Sequence, residues 1–118
     1  MPRWIPCGDG FIEADVIRWR EKVWQRAKRE RSRAVNLGDR VVTAEVIRDE
    51  KGWVDLLIRT RTISNEKPGR KVEVLAKGTK IRRKRSTIEQ GKPERLIWSD
   101  ESARAIIASR FWGEDNSL

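Results

Sequence analysis

The sequence predicts a mainly β fold with a C-terminal helix. Either a small, strongly bent antiparallel sheet or an SH3-like or OB-like barrel would precede that helix. Two segments rich in β-branched residues, 41–47 and 53–63, flank a glycine-containing turn. A second pair of such segments lies between residues 79 and 98, and the spacing of apolar residues becomes helical after Ser99.

The segment from residue 12 to residue 27 is compatible with two structures. As a helix it would place Arg20 within an otherwise apolar face. As a strand it would place Glu21 on the same face as Trp19, although its β-branched and aromatic residues favour a strand. We predict a strand over about 15–24, followed by a mobile basic loop. If the segment is helical instead, the fold becomes α+β with an additional N-terminal helix.

Residues 41–63 predict a β-hairpin. Its loop, 49–52, contains Gly52 at a position that suits a positive φ. The returning segment 53–63 alternates, so that one set of side chains faces the core and the other faces solvent. The predicted core set is Val54, Leu56, Ile58, Thr60 and Thr62, and the opposite set is Trp53, Asp55, Leu57, Arg59 and Arg61.

Further elements are predicted after the hairpin. A turn at Pro68-Gly69 precedes a short strand over 71–75. Residues 79–88 and 95–98 would form a second hairpin. Ser99 is the predicted N-cap of the C-terminal helix. The apolar stripe of that helix would consist of Ala103, Ile106, Ile107 and Phe111.

Length and composition predict one intracellular domain with affinity for polyanions. The 118 residues suit a single domain, 1–118, with flexible ends at 1–11 and 113–118. The net charge is +9, and the stretch 59–85 alone carries 11 basic and 2 acidic residues. A single cysteine, Cys7, allows no internal disulfide, and no apolar stretch approaches the ~18 residues that span a bilayer. We therefore expect a cytoplasmic protein that does not bind membranes.

The chain lacks the residues of most catalytic sites. It has no His, no Tyr and no second Cys, which removes the commonest general base and the commonest metal ligand. We therefore expect no enzymatic activity, no catalytic residues, no cofactor and no metal site. The remaining enzymatic alternative is a metal-dependent nuclease built from Asp49, Glu50 and Lys51, although these residues lie in a predicted hairpin loop.

The predicted binding site is a run of six cations within nine residues: Lys77, Lys80, Arg82, Arg83, Lys84 and Arg85. On a strand, Lys80, Arg82 and Lys84 would line one side about 6–7 Å apart, with Ile81 on the other. That interval is comparable with the phosphate spacing along one strand of nucleic acid. Arg59 and Arg61 would add a second row if their strand is a neighbour, and Trp53 on the same face would stack on a base.

These residues predict a non-enzymatic nucleic-acid-binding module whose basic strand contacts phosphates. Both DNA and RNA, and any oligomeric state, are compatible with the sequence. Two alternatives explain the same charges. Lysine and arginine protect an exposed edge strand from aggregation, and a basic surface also suits an adaptor that binds an acidic protein partner or self-associates.

Overall fold

The computed structural model describes residues 3–8, 10–25 and 33–111. Its six strands form one antiparallel sheet in the order β1-β6-β2-β3-β4-β5. The elements are β1 (Trp4–Pro6), β2 (Val16–Gln25), β3 (Val35–Glu50), β4 (Trp53–Glu66), β5 (Lys80–Lys84), α1 (Arg85–Gln90), β6 (Glu94–Leu96) and α2 (Glu101–Phe111). The mainly β class with a C-terminal helix is confirmed. The sheet is open, with β1 and β5 as its edges, so it does not close into the barrel offered as the alternative.

The strand predicted over 15–24 is confirmed by β2, and the additional N-terminal helix is therefore wrong. β2 pairs with β3 along its whole length, with one irregularity between Val23 and Trp24. Ile17 and Trp19 are buried on its inner face, and Glu21 is buried beside them. The basic loop predicted after this strand falls mainly on residues 26–32, which lie outside the described residues.

The predicted β3–β4 hairpin is confirmed, and both strands are longer than expected. Lys51 and Gly52 form its turn with φ angles of 53° and 81°, and a two-residue hairpin turn of type I′ requires positive φ at both positions. Of the predicted core set, Val54, Leu56, Ile58 and Thr62 are buried. Thr60 is exposed, because the β3–β4 register shifts near Thr43 and interrupts the alternation.

Two strand predictions in the second half of the chain are wrong. Residues 71–75 form no strand, although Val72 is buried. The second hairpin does not form either, because β5 pairs with β4 whereas β6 lies between β1 and β2. The chain leaves β5 at Lys84 and enters α1, which places Ile88 in the hydrophobic core. The link between α1 and β6 then contacts β2, where the Arg20 N–H donates to the Gly91 carbonyl over 3.2 Å.

Of the N-terminal segment 1–11, expected to be a flexible end, the described residues 3–8, 10 and 11 contribute to the sheet and to the core. β1 pairs with β6, with Trp4 opposite Leu96. Phe11 is fully buried and belongs to the core cluster, and Cys7 packs against that cluster. Apolar burial and strand pairing therefore hold these residues in the fold. The other predicted flexible end, 113–118, lies outside the described residues.

Helix α2 does not dock through Ile106 and Ile107, the two isoleucines of the predicted apolar stripe. Ile106 and Ile107 are 58% and 43% exposed, whereas Arg104 and Ala108 are buried. The helix begins one residue later than expected, because the Asp100 carboxylate accepts the Ala103 N–H over 3.1 Å and Ser99 is not the cap. An ionic contact therefore takes the place of the apolar one that the sequence suggested.

That ionic contact centres on Asp15, which is fully buried. The Arg104 guanidinium donates to both of its carboxylate oxygens, over 2.9 and 2.6 Å. The Trp98 indole N–H and the Ile12 backbone N–H donate to the same carboxylate, over 2.7 and 2.9 Å. A buried charge tolerates burial only when it is paired and hydrogen-bonded, and Asp15 satisfies both conditions.

Asp15→Asn should lower the free energy of unfolding by about 3–5 kcal/mol, because it leaves the buried Arg104 without its counter-charge. Urea denaturation monitored by tryptophan fluorescence measures the change. Glu13→Gln, an exposed carboxylate two residues away, serves as the control and should leave the midpoint unchanged. Equal losses in the two variants would contradict the anchoring role of Asp15.

Candidate nucleic-acid interface

The predicted outward row of β5 is confirmed by the register between β4 and β5. Trp53 lies opposite Lys84, Asp55 opposite Arg82, and Leu57 opposite Lys80. Residues that lie directly opposite in an antiparallel pair share one face of the sheet. Lys80, Arg82 and Lys84 are exposed with Trp53, whereas Ile81 points to the other side and packs against the core.

Arg82 is exposed but its charge is compensated locally. Its Nε lies 2.7 Å from Asp55 Oδ1, and its Nη2 lies 3.4 Å from Oδ2. The hydrogen bond from Arg82 lowers the pKa of Asp55, and the hydrogen bond to Asp55 raises the pKa of Arg82. Because the two charges cancel, the Arg82–Asp55 pair adds no net charge in the middle of the outward row of β5.

Arg83 points to the opposite face and is half-buried. Its Nε and Nη2 lie 3.0 and 3.1 Å from the two carboxylate oxygens of Glu21 on β2. Because β3 and β4 separate β2 from β5 in the sheet order, this contact requires a strongly curled sheet. The contact therefore spans the concave side and joins β5 directly to β2.

Glu21 is the acceptor at the centre of this buried cluster. Arg40 Nε lies 3.0 Å from Oε2, and the Trp19 indole N–H donates to Oε1 over 3.2 Å. Burial alone would raise the pKa of Glu21, but the hydrogen bonds and charges of Arg83 and Arg40 outweigh it and hold the pKa below its ordinary value. Glu21 is therefore ionised at neutral pH and binds two arginines.

Arg85, at the start of α1, also joins different parts of the fold. Its Nη2 donates to the Phe11 carbonyl over 3.0 Å, and its guanidinium carbon lies 3.9 Å from the centroid of the Phe11 ring. It also pairs with Asp49, and with Glu89 over 3.2 Å. Arg83 and Arg85 thus do not lie on the face that carries Lys80 and Lys84.

Four predicted site residues lie on β5 or beyond its end, and we call them the basic row: Lys84 and Lys80 on β5, Lys77 in the turn before it, and Arg61 on β4 past the end of the β4–β5 pairing. All four are exposed, and within residues 3–8, 10–25 and 33–111 none of them forms an ion pair. Lys77 lies in a turn held against β4, because the Gly78 N–H donates to the Ile58 carbonyl over 2.8 Å.

The remaining site predictions are Trp53, at the hairpin end of the β4–β5 pairing, and Arg59, beyond its other end. The strands are neighbours, but β5 pairs only with residues 53–57, so Arg59 continues past the end of β5 and adds no parallel row. Its Nη1 lies 2.6 Å from Glu45 Oε1, which compensates its charge. Trp53 is 45% exposed, with the Lys84 ammonium 5.5 Å from its ring centroid.

A second basic surface lies on β2, where the sequence shows a secondary cluster of basic residues that was not predicted as a binding site. An open concavity of about 1410 Å³ is lined by residues from both faces of β2 and from the link before β6. Arg18 and Arg20 line it, but they pair with Glu94 and Asp39 over 2.9 and 2.8 Å. The sequence feature that indicates this surface is the two-residue spacing of Arg18, Arg20 and Lys22. On a strand, residues at this spacing lie on one face and form a row.

The acidic side chains considered for catalysis form ion pairs, and the thiol of Cys7 is protonated. Asp49 pairs with Arg85, and Glu50 pairs with Arg48. Burial, with a smaller contribution from the charge of Asp15, raises the pKa of the Cys7 thiol to about 11, so the thiol is protonated at neutral pH. In the part of the chain that is described, no three His, Cys, Asp or Glu side chains come together as a metal site.

Comparison with known proteins identifies no relative of this chain. No protein-family model, no curated protein and no solved structure matches this chain. Neither described helix has the length and apolar character that crossing a membrane requires. The function must therefore be inferred from the chain's own residues.

Substitutions of the adjacent Arg82 and Arg83 should distinguish a residue that stabilises the fold from one that only carries surface charge. Arg83→Met removes two hydrogen bonds to the buried Glu21 and should lower the free energy of unfolding by about 2–3 kcal/mol. Arg82→Met makes the same chemical change on the exposed face and should leave the urea midpoint nearly unchanged. If Arg82→Met is the more destabilising of the two, the assignment of Arg83 to the interior is wrong.

Proposed function

We propose that this protein is a non-enzymatic nucleic-acid-binding module, and that the basic row and Trp53 form its binding surface. The observation that carries the proposal is the unequal pairing of the cations. All eleven ion pairs among the described residues use arginine. The described lysines therefore all lack an ion pair, and three of them, Lys77, Lys80 and Lys84, come together within eight residues at one border of the sheet.

The internal ion pairs concentrate the positive field of the surface. Within the basic stretch 59–85, Arg59, Arg82, Arg83 and Arg85 are compensated by carboxylates. The charges left for a polyanion are mainly lysines, whose ammonium groups bind phosphate as flexible point charges. Such contacts position a nucleic acid without reading its bases, so affinity should depend on salt and sequence selectivity should be modest.

Two competing explanations account for part of the same surface. β5 is an edge strand, and lysines on an edge prevent strand-to-strand aggregation without binding any ligand. A basic face also suits an acidic protein partner. Neither explanation requires an exposed tryptophan beside a lysine, whereas a nucleic acid offers both a base for Trp53 and a phosphate for Lys84. Within the proposal the protein acts in the cytoplasm, in agreement with its single cysteine.

Replacing Lys77, Lys80 and Lys84 together by Gln should weaken nucleic-acid binding and its dependence on salt. Each phosphate contact contributes about 0.7–0.9 units to the slope of log affinity against log salt, so the slope should become shallower by about two to three units. Fluorescence anisotropy measures this with a labelled 12-nucleotide oligomer, single-stranded and duplex, titrated at four salt concentrations.

The matched control replaces Lys22, Lys67 and Lys92 by Gln, which removes the same charge from exposed lysines elsewhere. Lys22 and Lys92 line the second basic surface, so this control also tests that surface as the binding site. The control should keep most of the affinity. A larger loss in the control than in the basic-row variant would move the site to β2, and no binding to either oligomer at low salt would refute the proposed function.

A further inference from the structure

The basic row is a single line of charge, and this geometry bears on the kind of nucleic acid that fits. Lys80 and Lys84 lie four residues apart on β5, which corresponds to about 13 Å. Lys77 and Arg61 extend the line past the end of β5. From Trp53 to Arg61, strand β4 itself runs over eight residues, or about 26 Å.

No second line of uncompensated charge accompanies the first on the neighbouring strand β3. The residues of β3 that flank β4 at this level include Glu45, whose charge is taken up by Arg59, and the exposed Ile47. At the hairpin end, Glu50 pairs with Arg48. β3 lies two strands from β5, at about 10 Å, and its two arginines, Arg40 and Arg48, are both paired with carboxylates.

A duplex requires more than this surface provides. Its two phosphate rows are separated by a groove of about 6 Å or about 12 Å, so the second row of a duplex on the basic row would lie either over β3 or beyond the open edge of β5, where the sheet offers it no contact. The arginines of β3 are already paired with carboxylates, so β3 has no uncompensated cation to bind that row. A single strand carries only one phosphate row, which the basic row can bind by itself.

Trp53 adds an independent argument. The bases of a duplex are stacked inside it, whereas the bases of a single strand are free to stack on an aromatic ring. Trp53 is 45% exposed, and its partner Lys84 lies 5.5 Å from the ring centroid. The same position therefore offers a stacking surface for a base and an ammonium group for the adjoining phosphate.

We propose that the ligand of this surface is single-stranded nucleic acid, which lies along the β4–β5 border with one base on Trp53 and its phosphates on Lys84, Lys80 and Lys77. This inference rests on the proposed function. A line of about 26 Å suits a strand of a few nucleotides, within the range of about 4 to 16 nucleotides that single-strand-binding modules cover.

The test compares Trp53→Ala with Trp53→Phe, using labelled dT12 and a 12-base-pair duplex at one salt concentration. The unmodified protein should bind dT12 more tightly than the duplex. Trp53→Ala should reduce dT12 affinity about 5- to 150-fold, since base stacking is worth about 1–3 kcal/mol. Trp53→Phe should retain most of it, and duplex affinity should change less than twofold. Trp24→Ala, which removes another exposed tryptophan, should change neither affinity.

Two outcomes separate this inference from the proposed function. If the duplex binds as tightly as dT12 and Trp53→Ala has no effect, the single-strand inference is wrong while nucleic-acid binding stands. If neither oligomer binds the unmodified protein, the proposed function itself is refuted. Urea midpoints of the variants verify that a lost affinity does not come from unfolding.

Discussion

The buried carboxylate of Glu21 holds the curled sheet together. β2 and β5 are not hydrogen-bonded neighbours, yet Arg83 on β5 reaches Glu21 on β2 across the concave side with two hydrogen bonds. Arg40 and Trp19 supply the remaining donors, so the burial of this charge is compensated. The close approach of the two strands lets α1 cross between them with Ile88 in the core, and lets Gly91 reach the backbone of β2.

The same contact determines which cations face solvent. Side chains alternate along a strand, so an inward Arg83 places Lys80, Arg82 and Lys84 outward. A shift of one residue in the pairing of β5 would expose Ile81 and bury the lysines, which have no buried carboxylate to meet. The internal ion pair and the exposed basic row are therefore two consequences of one register.

Local patterns predicted the parts of the fold that depend on local chemistry. The β3–β4 hairpin follows from alternation and from the glycine of its turn, and β2 follows from its β-branched residues. The ion pairs of Glu21 with Arg83 and of Asp15 with Arg104 join residues 62 and 89 positions apart, and no local pattern encodes them. For that reason the sequence assigned the buried face of α2 to isoleucines that the structure exposes. Helix α1 has only six residues, too few for a helical period to separate it from a strand. The outward face of β5 was predictable from alternation alone, whereas the internal roles of Arg83 and Arg85 depend on partners that only the tertiary structure brings near.

The division between inward arginines that hold the fold and outward lysines that meet a ligand can be tested through the tryptophan indole groups. The Trp19 indole N–H donates to Glu21, whereas Trp53 is exposed at the end of the basic row. In a ¹⁵N-edited NMR titration with dT12, the indole resonance of Trp53 should shift or broaden while that of Trp19 stays in place. A shift at Trp19, or at Trp24 on β2, with no change at Trp53 would contradict this division.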